Sequence, residues 1–312
     1  MSNIIAIAGP TASGKSALSL ALCKALNGEI VSFDSMQVYR GLDIGTAKAT
    51  YNERREVPHH LIDICEPTEK FSAADFLLAA NSAVGDILSR GKAAVLCGGT
   101  GLYFDSFIFG RDYGELVADE ALRASLFDIA AKEGNEALHK MLEELDPVAA
   151  AEIHPNNVKR VVRAIEICKN SNMTKTEWDR KANEAPSRDV KTIVLDFKDR
   201  DALYARIDAR VDKMLSDGLV DETRSLYDDG VFDAATTASQ AIGYKEILPY
   251  IKGEMSLAEA AENLKLATRR YAKRQMTWFR KYDGIRLFVD GYGSFDEMLF
   301  DALCRLKGGN DG

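Results

Sequence analysis

The stretch Ile4-Ile5-Ala6-Ile7-Ala8-Gly9-Pro10-Thr11-Ala12-Ser13-Gly14-Lys15-Ser16 decides how the chain is read. Five apolar residues suited to a buried strand run into the pattern G-x-x-x-x-G-K-S, and residues 15–26 continue with apolar positions at helical spacing. Strand, glycine turn and helix in that order make a phosphate cradle. The glycines let backbone N–H groups turn inward around an anion, the helix N-terminus adds its dipole, Lys15 supplies a point charge, and the Ser16 hydroxyl suits Mg²⁺. Gly9, Pro10, Thr11, Ala12, Ser13, Gly14, Lys15 and Ser16 are the candidate diphosphate-binding residues. Ser16 is the candidate metal ligand and Mg²⁺ the expected cofactor. The motif is blind to what hangs from the diphosphate, and a nucleotide is its default occupant.

Outward from the cradle, short apolar runs at residues 4–8, 29–33, 60–64 and 93–97 alternate with helical patterns at 15–26 and 72–90. Ser72 followed by Asp75 reads as a helix start and Gly91 as its stop. The fold class is therefore α/β, a P-loop NTPase-like parallel sheet core. From about Tyr113 the pattern changes: residues 120–133, 135–145 and 156–169 are helical in period with no strand between them, which reads as a helical insertion domain over 113–190. Strand character returns at 191–197, long helices are expected at 203–216, 220–227 and 257–282, and 285–289 closes the pattern as a strand. The core then comprises 1–112 and 191–312, and the tail 307–312 reads as frayed.

Composition bounds the function. The 312 residues are 46% apolar and 28% charged, ordinary for a folded globular chain. The net charge of −8 argues against a general nucleic-acid coat protein but leaves room for a local basic face. Residues 265–286 provide that face: Lys265, Arg269, Arg270, Lys273, Arg274, Arg280, Lys281 and Arg286 stand against the single acid Asp283, with Tyr271, Trp278, Phe279 and Tyr282 interleaved. Aromatic rings beside arginines suit unstacked bases and phosphates. Cys23, Cys65, Cys97, Cys168 and Cys304 have no disulfide or zinc spacing and read as free thiols. The apolar run after Met1 is too short for a signal segment, and no run is long enough to span a bilayer, so a cytoplasmic location is expected. His59, His60, His139 and His154 read as structural. A nucleotide hydrolase would need an acid at a strand end; residues 193–196 end in Asp196 but read as a plain strand, and the strand at 93–97 ends in Gly98-Gly99-Thr100-Gly101-Leu102-Tyr103 with no acid.

The polar loop Asp34-Ser35-Met36-Gln37-Val38-Tyr39-Arg40-Gly41-Leu42-Asp43-Ile44-Gly45-Thr46-Ala47-Lys48 follows the second strand, where ligands of open α/β sheets bind. With it come Val57-Pro58-His59-His60-Leu61-Ile62-Asp63, the run from Gly98 to Tyr103, Gln240-Ala241-Ile242-Gly243-Tyr244-Lys245 and Lys273-Arg274-Gln275-Met276-Thr277-Trp278-Phe279-Arg280. Together with the cradle, these segments closely resemble the bacterial tRNA dimethylallyltransferases over residues 4–282.

That resemblance implies transfer of a dimethylallyl group from dimethylallyl diphosphate to N6 of adenosine 37 in the tRNA anticodon loop, with release of diphosphate. The cradle would hold a prenyl diphosphate, which removes the need for a hydrolase acid. Asp34 takes the family's role of proton acceptor, Thr100 sits by the reacting amine, and Arg210, with Arg206 as the second choice, steadies the leaving diphosphate. The implied tRNA contacts are Asp34, Ser35, Met36 and Gln37; Thr100; Arg123; Lys159, Arg160, Val161, Val162 and Arg163; and every residue of the segments beginning at Gln240 and Lys273 quoted above. The insertion domain is expected to contact tRNA, and a monomer is the default state. Rival readings are an adenylate isopentenyltransferase, a P-loop kinase and an ATP-gated RNA-binding module.

Overall fold

The computed structural model describes residues 3–110, 119–171, 173–184, 188–233 and 236–308. The chain divides into two compact units, residues 1–108 with 189–312, and residues 109–188. The expected junction at 112/113 and the segment 309–312 lie outside the described residues.

In the first unit the elements run β1 (Ile4–Ala8), α1 (Lys15–Leu26), β2 (Gly28–Ser32), α2 (Tyr51–Glu56), β3 (His59–His60), α3 (Ala73–Ser89), β4 (Ala93–Cys97) and α4 (Gly101–Phe109). The second unit contributes α5 (Glu120–Glu133), α6 (Asn135–Leu145), α7 (Pro147–Glu152), α8 (Val158–Asn170) and α9 (Lys175–Glu184). The first unit resumes with β5 (Lys191–Asp196), α10 (Arg200–Ser216), α11 (Leu219–Asp228), α12 (Tyr244–Ile251), α13 (Leu257–Phe279), β6 (Ile285–Phe288) and α14 (Phe295–Lys307). One six-stranded sheet in the order β3-β2-β4-β1-β5-β6 is parallel throughout, so the turns leaving β1, β2 and β4 share its carboxyl edge.

Near-continuous apolar strands are what a sheet covered on both faces requires. Ile5, Ile7, Val95, Ile193 and Leu195 pack with Leu18 and Leu22 of α1 and Met298 and Leu306 of α14. A separate core joins Val38, Tyr39 and Leu42 of the loop after β2 to Val211, Leu219, Tyr244, Ile247 and Leu264 of the helices α10 to α13. The second unit has its own core, in which Leu126, Leu138, Leu142, Val161, Val162 and Ile165 meet.

One expected element is corrected and several helices were not anticipated. The strand expected at 60–64 is only the pair His59–His60, because Leu61 and Asp63 adopt left-handed backbone, at φ 63° and 56°, and turn the chain out of the ladder. Helix α4 begins directly after Thr100. Helix α14 fills the region after the last strand, capped by Ser294, whose hydroxyl accepts from the Glu297 N–H. Helices α2, α7, α9 and α12 also went unread. All five cysteines are free thiols, and among the described residues no helix is long and apolar enough to cross a membrane.

Candidate active site

The cradle occupies the turn between β1 and α1. Gly9, at φ 144°, passes so close to β5 that a Cβ would meet the Leu195 carbonyl oxygen at 2.6 Å. Gly14 caps α1 at φ 93° and gives it no side-chain cap, so the first N–H groups of that helix are open to an anion. Lys15 Nζ donates to the Pro10 carbonyl at 2.5 Å, and Arg206 Nε donates to the Ala12 carbonyl at 2.9 Å. Burial draws the Lys15 ammonium down to about 8. The Ser13 hydroxyl is buried without any hydrogen-bond partner. A loop that leaves its own buried hydroxyl and helix donors unsatisfied is built around something the polypeptide does not supply.

A cavity of about 800 Å³ opens beside the cradle, lined by Thr11 to Ser16, Asp34 to Gln37, Gly98 and Gly99, Arg206 and Arg210, with Gln240, Ile242, Gly243, Lys245, Tyr271, Arg274 and Gln275. Its volume is that of a small-molecule site. Asp34 follows β2, and its Oδ1 accepts from the Met36 N–H at 2.9 Å, which fixes the carboxylate in a turn. Thr100 does not line the cavity; its Oγ1 accepts from the Ser35 N–H at 3.0 Å and lies 3.2 Å from the Ser35 hydroxyl. The turns after β2 and β4 are thereby laced together. Arg206 is committed to the cradle backbone, whereas Arg210 has no hydrogen-bond partner among the described residues; burial lowers its guanidinium while the Asp34 charge pulls it back up. Arg210 is thus the better placed of the two to meet a ligand anion. Asp196, which lies outside the cavity lining, accepts from Arg286 at 2.7 Å and is a strand-end ion pair.

Gln275 was expected at the RNA. It is 5% exposed, its Oε1 accepts from the Thr11 N–H at 2.8 Å, and its Nε2 donates to the Gly99 carbonyl at 2.9 Å. The residue ties the cradle to the turn after β4. Gln275→Leu leaves both backbone groups unpartnered and is expected to destabilise the unit by about 2 kcal/mol. A urea midpoint equal to that of the parent would show that these bonds carry no stability. Val161, Val162, Ala241, Tyr244 and Phe279 are likewise buried, so for their side chains the expected RNA contact is replaced by a packing role.

Other motif residues are scaffolding that sequence reasoning left unassigned. Lys48 is buried and donates to Tyr39 O, Asp43 and Asp63, while Arg54 also binds Asp63 at 2.6 Å. Glu222 accepts from the Ile44 and Gly45 N–H groups and from the Tyr244 hydroxyl at 2.6 Å. These bonds hold the loop from Asp34 to Lys48 over the cavity. His60 pairs with Glu29 at 2.8 Å, in keeping with a structural role.

In the second unit, Glu166 is fully buried and accepts from Arg123 Nε at 2.9 Å and Arg163 at 2.6 Å. Both arginines are therefore partly spent on that unit's own core. Lys159 and Arg160 are exposed and pair with no acid. His139 lies 2.8 Å from Ile153 O, a structural contact.

A parallel sheet with an uncapped glycine cradle at its carboxyl edge defines the P-loop class of phosphate-binding α/β proteins. The IPP transferase family matches residues 37–282, and the isopentenyl transferase family residues 2–66. The chain is 47% identical over 305 residues to the tRNA dimethylallyltransferase of Halalkalibacterium halodurans, covering 98% of this chain and 96% of that one. It is 49% identical over 297 residues to the corresponding protein of an Exiguobacterium species, covering 94% and 92%. The solved tRNA isopentenylpyrophosphate transferase of Bacillus halodurans matches with a TM-score of 0.72 at 45% identity, over 97% of this chain and 95% of that one. A eukaryotic dimethylallyltransferase acting on tRNA matches with a TM-score of 0.77 at 30% identity, over 92% and 73%. The chain belongs to the tRNA dimethylallyltransferase family.

Proposed function

We propose that this chain transfers the dimethylallyl group of dimethylallyl diphosphate to N6 of adenosine 37 in the anticodon loop of tRNA and releases diphosphate. The observation that carries the reading is the sharing of one cavity by an uncapped phosphate cradle, a fixed carboxylate and Arg210, which has no hydrogen-bond partner among the described residues.

The diphosphate sits on the open N–H groups of α1, with Lys15 and Arg210 answering its charge as the C–O bond to the allylic carbon breaks. The adenine amine attacks that carbon in line. Its lone pair is delocalised into the ring, so Asp34 accepts the N6 proton as the C–N bond forms. The target base must leave the loop stack to reach this depth. Thr100 acts through Ser35 and the turn carrying Asp34, which makes it a positioning residue for the carboxylate.

Mg²⁺ fits the donor set here. Ser16 and Asp34 are hard oxygen groups lining one cavity, and among the described residues no cluster of three or more ligating side chains would hold a metal unaided. Mg²⁺ is an ion that takes such oxygen donors while keeping waters and sharing phosphate oxygens. When bound, it would neutralise charge on the departing diphosphate, with Ser16 as its protein ligand.

The basic helix divides cleanly. Lys265 pairs with Asp212, Arg269 with Asp208, Lys281 with Asp105 and Arg286 with Asp196, whereas Arg270, Lys273, Arg274 and Arg280 pair with no acid among the described residues. The unpaired four, with Lys159 and Arg160 of the second unit, are cations available to RNA phosphates. Trp278 is pinned through Nε1 to Asp105 at 3.0 Å. The chain acts in this reading as a monomer in the cytoplasm.

The test offers labelled dimethylallyl diphosphate and Mg²⁺ with unmodified tRNA, AMP or ATP in turn. Label is expected in tRNA alone. Label in AMP would make the chain an adenylate isopentenyltransferase, and ATP turnover without prenyl transfer would return it to the kinases.

A further inference from the structure

We propose that a second anion site lies outside the catalytic cavity, a notch between α10 and α13 in which Arg200, Lys273 and Arg280 grip one phosphate of the tRNA backbone. The proposal rests on the tRNA reading above and adds Arg200, which belongs to none of the motifs that carry it.

The seam between the two helices is a ladder. Residues at four-residue steps share a helix face, so 212, 208, 204 and 200 on α10 run opposite 265, 269, 273 and 277 on α13. At the first rung Lys265 meets Asp212 at 2.9 Å, and at the second Arg269 Nε donates to Asp208 at 3.0 Å. Both rungs pair a cation with an acid. At the third the acid is replaced by Tyr204, whose ring is covered by Arg269 at 5.6 Å. At the last stands Arg200. Lys273 on α13 and Arg280, the residue that caps its C-terminus, reach the same notch, which Tyr204, Met276 and Thr277 complete. None of its three cations forms an ion pair with a described residue. Like charges brought together across a seam are unfavourable unless an anion joins them.

The notch also selects what it takes. It has room for about 30 Å³. That is one water or one phosphate oxygen, far too little for a nucleobase, so the site positions the backbone and reads no sequence. Arg274 and Gln275 of the same helix line the catalytic cavity. One helix therefore presents the notch and a wall of the reaction chamber, and a phosphate anchored at the first sets the register of RNA arriving at the second.

Arg200→Gln is expected to weaken tRNA binding about 3- to 10-fold and to lower the slope of log affinity against log salt by roughly one charge. Prenyl diphosphate affinity should stay within about twofold, and the thermal midpoint should hold or rise because a like charge has been removed. The double variant Arg200→Gln/Arg280→Gln should lose less than the product of the two single losses, since both act on one phosphate. If the parent binds tRNA and Arg200→Gln keeps both affinity and salt slope, the notch is not an RNA site. A fall in thermal midpoint with an unchanged salt slope would make Arg200 structural and overturn it likewise. Saturable binding of inorganic phosphate at fixed ionic strength, abolished by Arg200→Gln while tRNA affinity is untouched, would assign the notch to free phosphate instead. A parent protein that binds no tRNA would overturn the functional reading itself, a result distinct from all of these.

Discussion

Asp34→Asn is expected to slow the prenyl-transfer step by about 10² to 10⁴ while tRNA and dimethylallyl diphosphate still bind within several-fold. The carboxylate is held by the Met36 N–H on one oxygen, and the turn carrying it is tied through Ser35 to Thr100. Asparagine keeps the size of the side chain and can keep the bond from Met36 through its own carbonyl. What it lacks is a basic oxygen for the N6 proton. Single-turnover labelling of tRNA at saturating donor reads this step without product release, and both affinities can be measured on the same variant. A normal single-turnover rate with weakened tRNA affinity would reduce Asp34 to a binding group and leave the proton to water or to the departing diphosphate.

Why this site was legible at all follows from where its signals lie. The cradle is local: strand, glycines, Lys15 and Ser16 are contiguous, and the geometry of Gly9 and Gly14 follows from their residue type. The parallel sheet was legible for the same reason, as short apolar runs spaced by amphipathic helices. What escaped depends on partners far along the chain. Nothing near Gln275 indicates that its amide will join Thr11 to Gly99, 264 and 176 residues away, so a motif position was read as RNA contact. Arg123 and Arg163 were taken as RNA contacts from the family resemblance, and only the fold shows both resting on Glu166. The basic run at 265–286 was seen as one face, whereas Asp212, Asp208, Asp105 and Asp196 neutralise half of it. The strand expected at 60–64 failed through left-handed backbone at Leu61 and Asp63, which Lys48 and Arg54 stabilise from outside the segment by binding Asp63. Helix α14 is a different case, because Ser294 followed by Glu297 is a local start signal that was present and passed over.

Lys15→Ala is expected to lower turnover by about 10² or more, the scale of one preorganised electrostatic contact to a developing charge. The fold should survive, since the bond lost is a single one from the Lys15 ammonium to the Pro10 carbonyl and Lys15 itself lines the cavity. The same residue gives the donor site a pH dependence. Burial lowers the Lys15 ammonium to about 8 and the Arg210 charge pushes the same way, against the raising effects of Cys97 and Asp34. Below that value the free enzyme carries the cation; as pH rises through it the cation is lost, and affinity for a diphosphate falls. An arriving diphosphate raises the value again, so binding above pH 8 takes up a proton. Calorimetric titration of inorganic diphosphate from pH 7 to 9, in buffers of different ionisation heat, counts that proton. The ligand's own titration is common to all variants, so the difference belongs to the protein. Lys15→Ala should remove the uptake, and Lys15→Arg should remove it while retaining more of the affinity, because a guanidinium stays charged throughout. Equal proton uptake in the parent and in Lys15→Ala would place the titrating group elsewhere in the cavity, and full activity of Lys15→Ala with dimethylallyl diphosphate would take the prenyl donor out of the cradle.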